Sequence, residues 1–289
     1  MYVAKSQGRN CCVQFSTEVA RREEIVQEIA RDLSLALSRA QFQLHYQPLV
    51  QRDGGLTGFE ALVRWNHPLH GLVAPAEFIP QVEKSGLILS LGDWILRQAC
   101  STCRTWQMPG QPRVGVAVNV SAPQFDQPNY SERVLRALDE TGLDPSLLTL
   151  ELTEGVLVRD LTRTRTHLAV LRLAGIRIAL DDFGTGYSSL SYLTDLPADV
   201  IKLDRSFLNR ELPESSTVVE SIVNLAHRLG LQVVAEGVET DTQRTNVLDL
   251  MCDQMQGYYF SKPVAAGEVP RLLEERARTA GRVRELTPA

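Results

Sequence analysis

Nine residues in this 289-residue chain are polar groups able to do chemistry, each set among valines and leucines. They are Glu60 and Arg64, Asn119, Glu151, Asp181 with Asp182, Lys202, Glu236 and Gln256. A single polar residue in such a run is ordinarily a helix cap or a solvated charge. Seven separate runs that each carry one instead converge on a site. Carboxylates and a carboxamide with no histidine among them are hard oxygen donors, suited to Mg²⁺ or Mn²⁺ and poorly suited to zinc or copper. The adjacent acids Asp181 and Asp182 raise each other's pKa unless cations neutralise them, so a pair of metal ions is the economical explanation. Lys202, embedded in Val200-Ile201-Lys202-Leu203-Asp204, is costly to bury unless acids surround it. Its ammonium then sits beside a metal-bound water or a developing phosphate charge, or else forms a structural ion pair with Asp204 on the same face.

The elements that position these groups follow from periodicity. FQLHYQPLV (42–50) and LTGFEALVRW (56–65) read as strands joined by Gln51-Arg52-Asp53-Gly54-Gly55, a linker that makes a hairpin and is too short for a parallel crossover. Further strand-like runs fall at 113–121, 147–154, 176–184, 200–207, 231–239 and 254–261. Helical patterns occupy 87–106, 131–141, 160–174, 214–229, 240–250 and 267–279, with an earlier helix over 17–40. Eight strands with βα repetition predict a TIM-like (β/α)8 barrel of the α/β class, with an antiparallel first strand. The alternative is an open doubly wound sheet, but no GxGxxG or Walker loop follows the early strands.

Alternation assigns the faces. Phe59, Ala61, Val63 and Trp65 share the side that packs under helices, leaving Glu60, Leu62 and Arg64 on the inner side. Gly115, Ala117 and Asn119 form the inner face of the third strand, and their small side chains leave room for a ligand. Glu60 and Arg64, four residues apart, stand about 13 Å from each other and engage different parts of that ligand. Of the five histidines, His67, His70, His167 and His227 fall in loop or helix contexts, and His45 reads as a satisfied core histidine.

Composition narrows the function. Hydrophobic residues make up 44% and charged residues 22%, an ordinary globular balance, so disordered and disulfide-scaffold classes are excluded. The net charge of −5 supplies no field for a nucleic-acid polymer. Only four of the 30 basic residues are lysines, which gives Lys202 added weight. The most apolar helical stretch, Leu87 to Leu96, is broken by Asp93, and MYVAKSQGRN lacks a signal-peptide core, so no membrane contact is expected from this segment. Five thinly spread cysteines point to a reducing cytoplasm, and Cys100 and Cys103 read as buried helix cysteines with no zinc partners. Asp182-Phe183-Gly184 spells the kinase DFG without its companion motifs, and Gly184-Thr185-Gly186 reads as a flexible βα loop. No serine elbow with a histidine partner is present.

Together these residues resemble the EAL-domain phosphodiesterases, which cleave cyclic di-GMP to the linear dinucleotide pGpG. The naming triplet is Glu60-Ala61-Leu62 within EALVRW. Matching segments are YQP (46–48), NVS (119–121), ELTE (151–154), DDFGTGYSSL (181–190), KLD (202–204), AEGVE (235–239) and QGYYFSKP (256–263). The resemblance implies a barrel over 29–280 with its first strand antiparallel, and two Mg²⁺ or Mn²⁺ ions. One ion would be held by Glu60, Asn119, Glu151 and Asp181, and the other by Asp181, Asp182 and Glu236. It implies that Lys202 holds the attacking water and that Glu236 also serves as general base. Arg64 would contact phosphate, Gln47 and Leu62 would line the nucleotide pocket, and Gln256 would be a further polar site residue. Glu154, Asp204 and Glu239 would act as supports, Glu154 by anchoring the 181–190 loop. A homodimer and a cytoplasmic location go with the family.

MYVAKSQGRNCCVQF is in turn similar to the end of a GGDEF, diguanylate-cyclase-type domain. That implies a remnant at 1–16, a helical linker at 17–28 and a C-terminal tail at 281–289, all cut from a tandem protein. Two rival functions use the same acids: a non-catalytic cyclic di-GMP receptor, and an enolase-like enzyme with Lys202 as base. Receptors usually lack metal ligands or the lysine, which this chain retains, and the enolase-like reading leaves Arg64 and Asn119 without a role.

Overall fold

The computed structural model describes residues 32–33, 35–108, 112–157, 159–184, 197–208 and 213–276. The expected remnant at 1–16, the linker at 17–28, Cys11, Cys12, residues 185–190 and the tail at 281–289 lie outside them. Ten strands form one sheet: β1 (Phe42–Gln51), β2 (Leu56–His67), β3 (Gly71–Val73), β4 (Gly115–Asn119), β5 (Leu148–Thr153), β6 (Arg177–Phe183), β7 (Val200–Leu203), β8 (Gln232–Ala235), β9 (Gln254–Met255) and β10 (Val264–Ala265).

Parallel pairing runs from β2 through β4, β5, β6, β7 and β8 to β9. β1 closes the ring by pairing antiparallel with both β2 and β9. The barrel is therefore an eight-stranded TIM-like one with its first strand reversed, as the short Gln51–Gly55 turn requires. β3 and β10 are short antiparallel additions on β2 and β1. The run at 254–261 is not one long strand. Only Gln254 and Met255 pair; at Gly257 the chain packs so closely against Val238 that an added Cβ would lie 2.1 Å from its carbonyl oxygen.

The helices are α1 (Pro75–Lys84), α2 (Ile88–Thr105), α3 (Tyr130–Thr141), α4 (Leu161–Leu173), α5 (Pro213–Arg228), α6 (Asp241–Asp249) and α7 (269–276). Their ends follow capping chemistry. Asp160 accepts from the Arg163 N–H at the start of α4, Thr240 and Gln243 form a capping box on α6, and Gly142 ends α3 with φ of 66°. The sequence reading left α1 unassigned, since Pro75 and Pro80 obscure a helix whose buried face is Phe78 and Val82. No helix of the described residues is long and apolar enough to cross a membrane.

β2 separates the two environments. Phe59 and Trp65 are wholly buried under the helices. Trp65 packs at 5.8 Å from Phe78, and Phe59 at 5.1 Å from Trp106, which also meets Tyr46 edge-on at 4.9 Å. Aromatic contacts of this kind combine large buried area with a fixed geometry, and so hold β2 rigidly in place. Cys100 and Cys103 are buried helix residues, with burial pushing both thiols up to about 12. His45 corrects its expectation: it is half-buried on β1, 3.4 Å from the Gln43 amide, and is no core residue. His67 lies at the end of β2 and is buried, with its Nδ1 accepting from the N–H groups of Leu69 and His70.

Candidate active site

Inside the barrel, Lys202 is fully enclosed and its ammonium is the hub of the polar cluster. Nζ lies 2.7 Å from Glu236 Oε1, 2.8 Å from Glu151 Oε2, 3.1 Å from Asp181 Oδ1 and 3.8 Å from Glu60 Oε2. The four acids come from β2, β5, β6 and the turn after β8, which only barrel closure brings to one point. Register explains the convergence: Glu60 sits beside Ala117, Asn119 beside Glu151, and Lys202 beside Val234.

Glu60 is held from both sides. Asn119 Nδ2 donates to its Oε1 at 2.6 Å, and Gln256 Nε2 donates to its Oε2 at 2.6 Å. Gln256 also donates to Gln47 Oε1 at 3.0 Å, and Gln47 donates to the Ser261 carbonyl at 3.2 Å. The bend after β9 therefore supplies both Gln256 and the acceptor that fixes Gln47. Burial pushes the Glu60 carboxyl up, but Lys202 and the two amide donors outweigh it and hold the group below the usual range.

Glu151 moves the other way. Burial and the surrounding acids raise it well above an ordinary carboxylate despite Lys202. Glu236 is pushed up to about 7 by burial and by Asp181 and Glu60, against the pull of Lys202. Lys202 itself is held well above its usual value, because four acids overcome the burial that would lower it.

Strand alternation alone directs Asp181 and Asp182 to opposite faces. The β6–β7 register breaks between Leu180 and Phe183, and Asp182 takes φ of +53°, a left-handed conformation that Asp adopts more readily than most residues. The bulge turns both acids towards the barrel mouth. One oxygen each from Asp181, Asp182 and Glu236 then lies within 4.8 Å of the others. Burial and the Asp181 charge raise the Asp182 carboxyl.

This donor set fits a divalent cation. All the donors are hard oxygens, and Glu151 Oε2 and Asp181 Oδ1 are buried beside the Lys202 ammonium, at 2.8 and 3.1 Å. Among the described residues, Asp181, Asp182 and Glu236 are the acids close enough together to hold such an ion.

The remaining expected positions divide. Leu62 is half-buried opposite His45, and Arg64 is half-buried further up β2, with its guanidinium donating to the Val63 carbonyl. Burial lowers Arg64, while Tyr258 and Glu60 act against it. Glu154 Oε1 accepts from the Gly184 N–H at 3.1 Å and so ties down the start of the 181–190 segment. Asp204 does not join Lys202: β7 ends at Leu203, and Asp204 caps a short 3₁₀ turn by accepting from Ser206. Glu239 is exposed and its carboxylate is no part of the cluster. Its N–H donates to Gln243 at the start of α6. Sequence reading missed Tyr258 and Lys262, whose ammonium lies 5.6 Å over the Tyr258 ring on the same bend that carries Gln256.

Comparisons with known proteins agree with this architecture. The model of the EAL domain family matches residues 30–263. The chain is 42% identical over 274 residues to the bifunctional diguanylate cyclase/cyclic di-GMP phosphodiesterase MucR of Pseudomonas aeruginosa, covering 93% of this chain and 40% of that protein. It is 39% identical to the cyclic di-GMP phosphodiesterase NbdA of the same organism, covering 94% of this chain and 35% of the relative. The chain thus spans about two fifths or less of these relatives. Among solved structures, the PaMucR phosphodiesterase in complex with c-di-GMP superposes with a TM-score of 0.80 at 42% identity, covering 84% of this chain and 99% of that one. The EAL enzyme Bd1971, with cAMP and cyclic di-GMP bound, superposes with a TM-score of 0.80 at 33% identity, covering 89% and 70%. With the family model spanning most of the barrel, this chain belongs to the EAL domain family.

Proposed function

We propose that this chain is a phosphodiesterase that hydrolyses cyclic di-GMP to linear 5′-pGpG with two Mg²⁺ or Mn²⁺ ions. The observation that carries the reading is the closed set of four acids around Lys202, next to the oxygen triplet of Asp181, Asp182 and Glu236. The names of MucR and NbdA, and the cyclic di-GMP complex of the PaMucR phosphodiesterase, support the substrate.

The ions, when bound, supply Lewis-acid activation of water and neutralise phosphate charge. The chain's own residues do the rest. Lys202 fixes the attacking water and meets charge that develops on the phosphate in the transition state. Glu236 accepts a proton from that water as well as serving as a metal ligand. Gln256 and Asn119 keep Glu60 oriented. Arg64, placed higher on β2, takes the second phosphodiester of the cyclic substrate, with Gln47 and Leu62 lining the nucleotide pocket. Glu154 holds the start of the loop that follows Asp181 and Asp182, and Asp204 and Glu239 shape the turns around the mouth.

Residues 1–16 we assign to the end of a GGDEF domain, 17–28 to a linker helix, 29–280 to the barrel and 281–289 to a tail. The bifunctional name of MucR supports this division. The protein acts in bacterial second-messenger signalling in the cytoplasm, as a homodimer, without binding a nucleic-acid polymer.

The test is chromatographic detection of pGpG after incubating the purified chain with cyclic di-GMP and Mg²⁺ or Mn²⁺. Lys202→Ala and Glu60→Ala are each expected to lower the rate at least about a hundredfold, the size of losing one transition-state contact. Tight cyclic di-GMP binding without turnover would replace this reading with that of a receptor.

A further inference from the structure

The lower half of the barrel interior is built from small residues. Beside and below the charged layer, the inward positions of β2, β4, β6, β7 and β8 include Gly58, Gly115, Ala117, Ala179, Val200 and Val234. A TIM-type barrel normally fills this space with layers of bulky branched side chains. Two of the positions cannot be enlarged. A Cβ on Gly58 would lie 2.6 Å from the Gly115 carbonyl oxygen, and one on Gly115 would lie 2.8 Å from that of Leu147. What remains is a cavity of about 900 Å³ that opens at the N-terminal ends of the strands, opposite the mouth that bears Asp182. Glu151 and Lys202 form its inner end.

The volume is within the range of small-molecule sites, and the walls have their composition: apolar surface with a few placed polar groups. Leu56, Trp106, Met108, Val114 and Leu273 supply apolar wall. Hydrogen-bond donors line the cavity as well. Arg177 uses one guanidinium nitrogen on Gln232, at 2.5 Å, and keeps its other N–H groups. Beside it in register, the Thr149 hydroxyl makes no hydrogen bond among the described residues. Arg113 pairs with Asp144 at 2.9 Å through a single nitrogen. Arg276 also lines the cavity and donates to the Phe260 carbonyl at 3.1 Å. Two acids on the lining are engaged elsewhere: Asp53 accepts from the Gly55 N–H within the β1–β2 turn, and Glu151 lies against Lys202.

We propose that the N-terminal half of the barrel is a second ligand site, for a small apolar molecule ending in a carboxylate or similar anionic acceptor. The apolar body packs between Trp106 and the small-residue layer, and the head group meets Arg177, Thr149 and Arg113. This site meets the cyclic di-GMP reading only at its inner end, where Glu151 and Lys202 are shared; its apolar walls and the donors Arg177, Thr149 and Arg113 have no part assigned to substrate.

The test is fluorescence titration of the full chain with anilinonaphthalene sulfonate, followed by displacement with decanoate. Saturable one-to-one binding is expected, with energy transfer from tryptophan that falls in Trp106→Phe, Trp65 and Trp94 remaining as more distant donors. Arg177→Gln should weaken binding by at least about tenfold, the size of one lost charge-assisted hydrogen bond. Val200→Phe should abolish it by filling the cavity. Excess cyclic di-GMP should leave the dye in place. Absence of saturable binding overturns the proposal. So does equal affinity in Arg177→Gln and wild type, or displacement by cyclic di-GMP, since either places the dye elsewhere.

Discussion

Replacing Lys202 with methionine keeps the length of the side chain and removes only the charge. Four buried or half-buried carboxylates then lose a cation that lies 2.7, 2.8, 3.1 and 3.8 Å from them. Removing one partner of a buried ion pair costs about 3–5 kcal/mol, because the other charge is left uncompensated. For a domain of this size each kcal/mol shifts Tm by roughly 2–4 °C, so Lys202→Met should melt about 6–20 °C lower in EDTA at pH 8. The loss depends on pH with a defined sign. Glu236 already titrates at about 7, above its ordinary 4.5, so its protonation favours the folded state; that contribution is complete below 4.5 and disappears as pH rises through 7. Without the ammonium, Glu60 rises from its depressed position and Glu151 and Glu236 rise further, since Lys202 lowers each of them. The gap between variant and wild type should therefore shrink towards pH 5 and widen towards pH 8. Saturating Mn²⁺ should also narrow it, a divalent cation restoring the missing charge. Differential scanning fluorimetry over this pH range reads all three effects. A gap below about 1 kcal/mol, or one indifferent to both pH and Mn²⁺, would refute the view that charge compensation holds this cluster together.

Two further substitutions probe the backbone that shapes the site. Asp182→Asn keeps a residue that tolerates φ of +53° and removes one charge, so calorimetric Mn²⁺ affinity should fall at least about tenfold while Tm in EDTA holds or rises. Unchanged affinity would take Asp182 out of the metal set. Gly58→Ala should lower stability by about 1–3 kcal/mol in urea unfolding, since its methyl meets the Gly115 backbone at 2.6 Å and forces β2 and β4 apart. A neutral result would mean that the strands yield at little cost.

Much of this arrangement is legible in the sequence because a barrel imposes a period of two. Phe59 and Trp65 against Glu60 and Arg64 already assign the two faces of β2, and the five-residue turn at 51–55 fixes the reversal of β1. Three features obey other rules. Asp181 and Asp182 share a face only through a bulge, and alternation contains no signal for one. The aromatic-rich run after Gln256 has strong strand propensity, yet tertiary contact at Gly257 overrides it and produces the bend that carries Gln256, Tyr258 and Lys262. Asp204 follows Lys202 by two residues, but β7 has ended by then, so the period no longer applies and the side chain caps a turn.

The same geometry explains why one barrel has both a charged upper layer and a hollow lower one. Glu60, Glu151 and Lys202 sit on the inner face at a level where all three are buried, so each must find compensation inside the ring and not from water. Their side chains need the middle of the barrel clear, and Ala117, Ala179 and Val234 beside them in register clear it. Bulkier residues one level lower would have to pass Gly58 and Gly115, where the backbones already touch. The hollow is thus a consequence of placing a buried cation among acids in a ring this narrow. A molecule seated in it would share Glu151 and Lys202 as its ceiling, which makes the two ends of the barrel a single electrostatic system.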